Sequence, residues 1–357
     1  MNKAEKPRPH LIAIQALRGI AALVVTLGHA VTEVQQARDH FPGLPFDFGI
    51  GVDIFFIVSG FIMVFTSLST AGTPSAPAYF LQRRFIRIVP LYWFYTVAML
   101  AAILLVPSLL NNSSIDTGMV VSSFLFFPYR NTIGEFTPVL ALGWTLNYEM
   151  FFYLLFALAL LAKTPRACFL VLSVLIVTSL VVGSSYGAGP WAFWGNSIIL
   201  EFLFGAVLGM IFLTGKVEAR AWIFWLLLAA MVPAYLALLS FSDIRALHLG
   251  IPAAFISTAF ILFVPEHFFR HITAFGKYVG DSSYSLYLCH PFALGIVKAV
   301  WMKLHGGSME QPLVFIALAV IASLIAARLS YILFEVPVTR YLSRFVGHER
   351  RKPRLSQ

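Results

Sequence analysis

Ten stretches of the chain are apolar for about twenty residues each. Short polar or basic segments separate them, at roughly 11–34, 47–69, 86–110, 139–162, 167–183, 194–214, 220–241, 246–265, 282–304 and 312–336. About 20 apolar residues, rising 1.5 Å each, cross the hydrocarbon core of a bilayer. The pattern therefore predicts an all-α fold, a polytopic transmembrane bundle of about ten spans. The stretch 117–129 is apolar but short, and is expected to be re-entrant or interfacial. The organisation read from this pattern is a cytoplasmic N-terminal segment 1–10, one transmembrane domain 11–337 and a basic cytoplasmic tail 338–357, with no internal repeat and no second domain.

Composition strengthens the membrane reading. The 357 residues are 59% hydrophobic and 11% charged, and include 34 Phe. Soluble domains carry about 25% charged residues. The net charge of +9 would suggest nucleic acid in a soluble protein. Here its placement speaks for topology and against a nucleic-acid partner. An even number of spans puts both termini on one side. Eighteen of the 25 Lys and Arg fall in the two ends and the loops on that side. Four (Arg38, Arg130, Arg245 and Lys303) fall on the other, and Arg18, Lys298 and Arg328 lie within spans. By the positive-inside rule both termini are cytoplasmic, and the basic tail is drawn to anionic lipid. Residues 1–30 also resemble a signal peptide cleaved after Ala30. Against that, Arg18 interrupts the apolar run, and removing the first span would leave an odd number of crossings. Cys168 and Cys289, both in spans, form no disulfide framework and no metal pattern.

Ionisable groups inside a membrane are costly and need a partner or a task. Arg18 and His29 are eleven residues apart. On a helix they lie about 20° apart in azimuth and about 16 Å apart in height. His29 belongs to the outer half of the first span, and Asp53 to the outer start of the second. A carboxylate there would orient the imidazole as a general base, or the pair would simply lock two helices. Arg83, Arg84 and Arg87 precede the third span. Arg83 and Arg87 share a face suited to a phosphate, although arginines there also serve as topology determinants, and Tyr92 and Trp93 fit an interfacial belt. Glu149 lies in mid-membrane near Asn147. Glu201 is expected to hydrogen-bond Asn196 or a neighbouring span. Tyr284, Tyr287 and His290, with Ser285 among them, form a polar stripe that reads as a cavity lining, and Pro291 is expected to kink that helix. Glu335 is placed to pair with the inner arginines.

Taken in order, Arg18…His29, Gly51-Val52-Asp53-Ile54-Phe55-Phe56 with Ser59-Gly60-Phe61, Arg83-Arg84-x-x-Arg87-Ile88-x-Pro90, the Glu149 segment and Ser283-Tyr284-Ser285-x-Tyr287-x-x-His290-Pro291 resemble the integral-membrane acyltransferase-3 family. The resemblance covers residues 11–337 and leans toward the exopolysaccharide-acyltransferase branch. Gln15 departs from the pattern, since many members carry Asp there. The resemblance implies a multi-pass protein of the bacterial inner membrane. It implies acyl-CoA as co-substrate, acetyl first and succinyl second, with no tightly bound cofactor. The acceptor would be a hydroxyl of an extracytoplasmic or lipid-linked glycan. On that reading Arg18, Arg83, Arg84, Arg87, Tyr92 and Trp93 bind acyl-CoA, and His29 is the general base oriented by Asp53. Asn147, Glu149, Tyr284, Ser285, Tyr287 and His290 line the acceptor cavity, and Arg18, Tyr287 or His290 stabilises the oxyanion. A proton-coupled transporter of a small polar or glycan substrate is the alternative that intramembrane charges leave open. Oligomeric state is not legible.

Overall fold

The computed structural model describes residues 9–38, 41, 46–105, 115–185, 189–241, 243–265, 268 and 274–346. The basic leader 1–8 and the tail beyond residue 346 therefore lie outside the described residues. The elements in chain order are α1 (Pro9–Ala37), α2 (Ile50–Ser67), α3 (Ala76–Leu105), α4 (Thr117–Leu125), α5 (Gly143–Ala159), α6 (Pro165–Ser185), α7 (Pro190–Trp194) and α8 (Leu200–Leu213). They continue as α9 (Ala221–Phe241), α10 (Arg245–His248), α11 (Gly250–Leu262), α12 (Ser283–Leu304), α13 (Pro312–Ser330) and α14 (Val336–Leu342). Two π-helical turns, Gly276–Gly280 and Tyr331–Glu335, precede α12 and join α13 to α14. No strand occurs among the described residues.

Among the described residues, eight helical stretches are long and apolar enough to cross a bilayer. They account for eight of the ten expected spans. The other two, α5 at 17 residues and α8 at 14, are shorter. The expected short piece is also helical, but α4 has only nine residues. The Asp116 side chain accepts from the Met119 N–H at its start, and Phe126, with φ 56°, ends it. The third span begins earlier than expected, so Arg83, Arg84 and Arg87 lie on the helix itself. Helix α12 runs through Pro291 without interruption.

The spans sort by what surrounds them. The membrane-crossing stretch of α2 is 72% buried, whereas that of α9 is 11% buried and apolar all round. Helix α2 is thus a central post, and α9 faces outward. Small residues set how closely the neighbours approach, as expected where backbones meet in a membrane. A Cβ on Gly205 of α8 would strike the Ile57 carbonyl, and one on Gly60 of α2 would strike the Phe202 carbonyl. Gly51 of α2 faces α1, where a Cβ would come within 2.6 Å of the Ala21 carbonyl oxygen. Gly280, in the first π turn, closes in the same way on the Gln15 carbonyl of α1.

Candidate functional site

Two cavities lie along α1 and α2. The first, with about 690 Å³ of empty space, is lined by Arg18 from α1, Ser59 from α2, Arg84 and Arg87 from α3, Glu149 and Tyr153 from α5, and Tyr284 from α12. The second, about 910 Å³, is lined by His29 and Thr32 from α1, Asp47 and Gly49 before α2, Trp144 from α5 and Arg245 from α10. Val52 and Tyr287 line both, so the two chambers adjoin at these residues. The three-turn offset of Arg18 and His29 on one helix face sets the two chambers one above the other.

In the basic chamber, Arg18 is 9% exposed and donates from Nη1 to Gln15 Oε1 at 3.0 Å. Gln15 Nε2 in turn donates to Asp281 Oδ1 at 3.1 Å. The residue that breaks the family pattern at position 15 thus relays an acidic partner supplied from beside the first π turn. Burial raises the Asp281 carboxyl above its ordinary pKa, with Arg18 opposing that effect. Arg84 donates to Thr66 Oγ1 at 3.2 Å and lies over the rings of Phe80 and Tyr153. Glu149 accepts from Ser59 Oγ at 2.8 Å and from the Tyr153 hydroxyl. Tyr284 donates to the Ile88 carbonyl at 2.7 Å.

His29 lines the second chamber; His290, expected to line the acceptor cavity, lines neither chamber and is buried behind His29, its Nε2 3.0 Å from His29 Nδ1. Nδ1 of His290 lies 3.0 Å from the Leu286 carbonyl, which can only accept, so that nitrogen carries the proton. Nε2 of His290 is then a bare acceptor. The His29 Nδ1–H is held by it and by the Val25 carbonyl at 3.1 Å. Two main-chain carbonyls thereby assign both tautomers and leave His29 Nε2 as an open lone pair. His290 is fully buried, while His29 is exposed to its chamber. Pro291 contributes no N–H, which leaves the Tyr287 carbonyl, next to Leu286, without its helical donor.

Several expected placements differ. Asp53 does not touch His29. It is fully buried and takes Arg245 in a two-point pair, Nη2 to Oδ2 at 2.8 Å and Nε to Oδ1 at 3.3 Å. Gly51 packs on α1, so position 53, two residues or about 200° further round, faces away from α1 toward α8 and α10. Arg83 stands outside the basic chamber, exposed over the Tyr79 ring; the inward pair is Arg84 and Arg87. Tyr92 is fully buried against Phe126 and Gly143, away from either chamber. Trp93 lies on the outside of the bundle, 39% exposed, donating to the Phe124 carbonyl at 3.0 Å. Asn147 is buried in α5 and lines neither chamber. Ser285 is buried and donates to Glu335 Oε2 at 2.6 Å. Glu201 is not bonded to Asn196, whose Oδ1 caps Ile198; it lies under Gly250, in the field of Asp53 and Arg245.

The sequence reading missed Arg245, which it counted only as an outer charge, and the Gln15–Asp281 relay. Both depend on partners far away in the chain, 192 and 266 residues respectively. Among the described residues no group of three His, Cys, Asp or Glu could hold a metal ion.

Comparison with known proteins turns this arrangement toward acyl transfer. An exopolysaccharide production protein of Rhizobium meliloti (strain 1021), ExoZ, is 31% identical over 299 residues, covering 81% of this chain and 89% of the relative. Protein 2 in the picA locus of Rhizobium radiobacter is 28% identical over 199 residues, 51% of this chain and all of that relative. No solved structure matches. A family model described as an acyltransferase domain matches residues 11–332, from the first turns of α1 to the second π turn. That match takes in every helix that lines the two chambers, and it makes this multi-pass membrane protein a member of the acyltransferase-3 family.

Proposed function

We propose that the protein moves a short acyl group, acetyl first and succinyl second, from cytoplasmic acyl-CoA to a hydroxyl of an extracytoplasmic glycan. The observation that carries this reading is the pair of stacked chambers, with guanidiniums in one, an open imidazole nitrogen in the other, and Val52 and Tyr287 shared by both. The Lys and Arg bias supports a basic chamber that faces the cytoplasm. There Arg84 and Arg87, three residues apart on one face of α3, suit the phosphates of coenzyme A. Arg18 stands deeper and would meet the pantetheine arm.

The thioester reaches the Val52–Tyr287 junction, and the acceptor occupies the His29 chamber. Nε2 of His29 takes the proton of the attacking hydroxyl. The hydroxyl oxygen bonds to the thioester carbon, the C–S bond breaks, and the leaving thiolate recovers the proton from His29. General-base transfer of this kind contributes roughly 10²–10⁴-fold. His290 does for His29 what Asp53 was expected to do, fixing its tautomer and aim. The glycan is read as an exopolysaccharide from the name of the Rhizobium meliloti relative, and the membrane as the bacterial inner membrane.

The test is coenzyme A release and acyl transfer by purified protein given acetyl-CoA and a polysaccharide acceptor. His29→Ala should lose roughly 10²–10⁴-fold in kcat. Wild-type turnover by that variant would remove His29 as the base. Uptake of a glycan into proteoliposomes without acylation would favour a carrier.

A further inference from the structure

Arg245 has no role in the scheme above, yet its placement is the most constrained of any charged group near His29. The buried Asp53 carboxylate grips it at Nε and Nη2, and the Gly49 carbonyl takes Nη2 as well, at 3.2 Å. Those three bonds use the Nε–H and both Nη2 hydrogens. Nη1, with two hydrogens, has no hydrogen-bond partner among the described residues, and the guanidinium, over the Trp144 ring, lines the His29 chamber. Its level matches that of the imidazole. Gly28, next to His29, packs on Phe48, and the adjoining Gly49 is the residue that holds Arg245.

The other donors considered for charge developing on the thioester oxygen are already committed. The Thr145 hydroxyl donates to the Leu142 carbonyl at 2.9 Å, so the Tyr287 hydroxyl, 2.8 Å from Thr145 Oγ1, spends its proton there. Nδ1–H of His290 is taken by Leu286. Arg18 lines the other chamber.

We propose that Arg245, fixed by Asp53, donates from Nη1 to the oxyanion of the tetrahedral intermediate formed in the His29 chamber. This rests on the acyl-transfer reading. When the hydroxyl oxygen bonds to the thioester carbon, the C=O π pair moves onto the carbonyl oxygen, and Nη1–H stabilises that charge. Collapse returns the pair to the C=O bond as the C–S bond breaks. Donors that are held in place before the reaction stabilise such charge most effectively, because nothing reorganises when it forms. A buried carboxylate that grips the guanidinium at two points from behind supplies that fixed placement. Asp53 is therefore a positioning residue and Arg245 the catalytic one.

The experiment measures kcat and the KM of each substrate for acyl transfer from acetyl-CoA to polysaccharide, in wild type, His29→Ala, Arg245→Gln, Arg245→Lys and Asp53→Asn. Removing a single oxyanion donor costs about 10²–10³-fold in kcat. Arg245→Gln should show a loss of that order with both KM values within about threefold of wild type, the pattern of an interaction made only in the transition state. Arg245→Lys cannot keep the two-point grip on Asp53 and also offer a fixed donor, and should lose kcat too. Asp53→Asn should fall the same way, and the Asp53→Asn/Arg245→Gln pair should be no worse than the poorer single variant. Melting temperature and acetyl-CoA binding establish that each variant is folded; if Arg245→Gln is not, Arg245→Lys carries the test. Wild-type kcat in a folded Arg245 variant, or a loss confined to acceptor KM, overturns the proposal while leaving His29 as base. A wild type that transfers no acyl group overturns the functional reading and this role with it.

Discussion

The proton on each imidazole of the His29–His290 pair is placed by a main-chain carbonyl. That makes the pair a directional device, since only His29 Nε2 is left open. Replacing His290 with Phe keeps an aromatic ring of similar size and removes the acceptor. We expect His290→Phe to lower kcat about tenfold or more, short of the full factor of roughly 10²–10⁴ for the base itself, and to shift the pH–rate profile while both KM values hold. A profile that coincides with wild type would show that His29 needs no help in holding its tautomer. The arginines make a second contrast at this scale. Arg84→Ala and Arg87→Ala should raise the KM for acyl-CoA, because both face the basic chamber. Arg83→Ala should leave it unchanged, because Arg83 stands outside over Tyr79. Equal effects at all three positions would put the phosphates on the surface and not in the chamber.

Helices bring these groups together only as precisely as their backbones approach one another. At the α2–α8 crossing, a methyl group on Gly205 meets the Ile57 carbonyl, a main-chain atom that cannot step aside. Gly205→Ala should destabilise by about 1–3 kcal/mol, the usual cost of an overpacked contact. Thermal unfolding in detergent would register it, and an unchanged midpoint would mean the crossing has slack. The same contacts explain what could be read from the chain alone. Eight of the ten spans, the Arg18–His29 face and the turn of Tyr284 and Tyr287 toward a cavity follow from helical arithmetic within one element, and were legible. The partner of Asp53 was not. It depends on Gly51 rolling α2 against α1, a property of two helices and not of either sequence. Arg245 looked like a topology charge because its carboxylate lies 192 residues away. Trp93 and Tyr92 matched an interfacial pattern, and the packing of α3 on Phe124, Phe126 and Gly143 decided which way each ring turned.

For the molecule as a whole, sidedness is the property that matters. Chambers set at different heights along α1 can be served from opposite faces of a membrane, the basic one, on the proposed reading, by the donor. In proteoliposomes of known orientation, acetyl-CoA supplied on the Arg84–Arg87 side should support transfer to acceptor on the other side. Acetyl-CoA supplied only on the His29 side should not. Equal rates from both faces would dissolve the distinction between the chambers. Breaking the Asp53–Arg245 pair should also be felt globally. Only Asp53 is fully buried, so the loss should fall below the about 3–5 kcal/mol of a fully buried pair, and Asp53→Asn should still melt earlier than Arg83→Ala.

The junction at Val52 and Tyr287 carries one more implication. On the proposed reading, nucleotide and sugar never share a compartment, and just the few carbons of the acyl cargo pass the bottleneck. Donors would then be graded by girth and length: two carbons clear the passage, whereas a fatty acyl-CoA docks by its coenzyme A phosphates, jams at the tyrosine and acts as a competitive inhibitor.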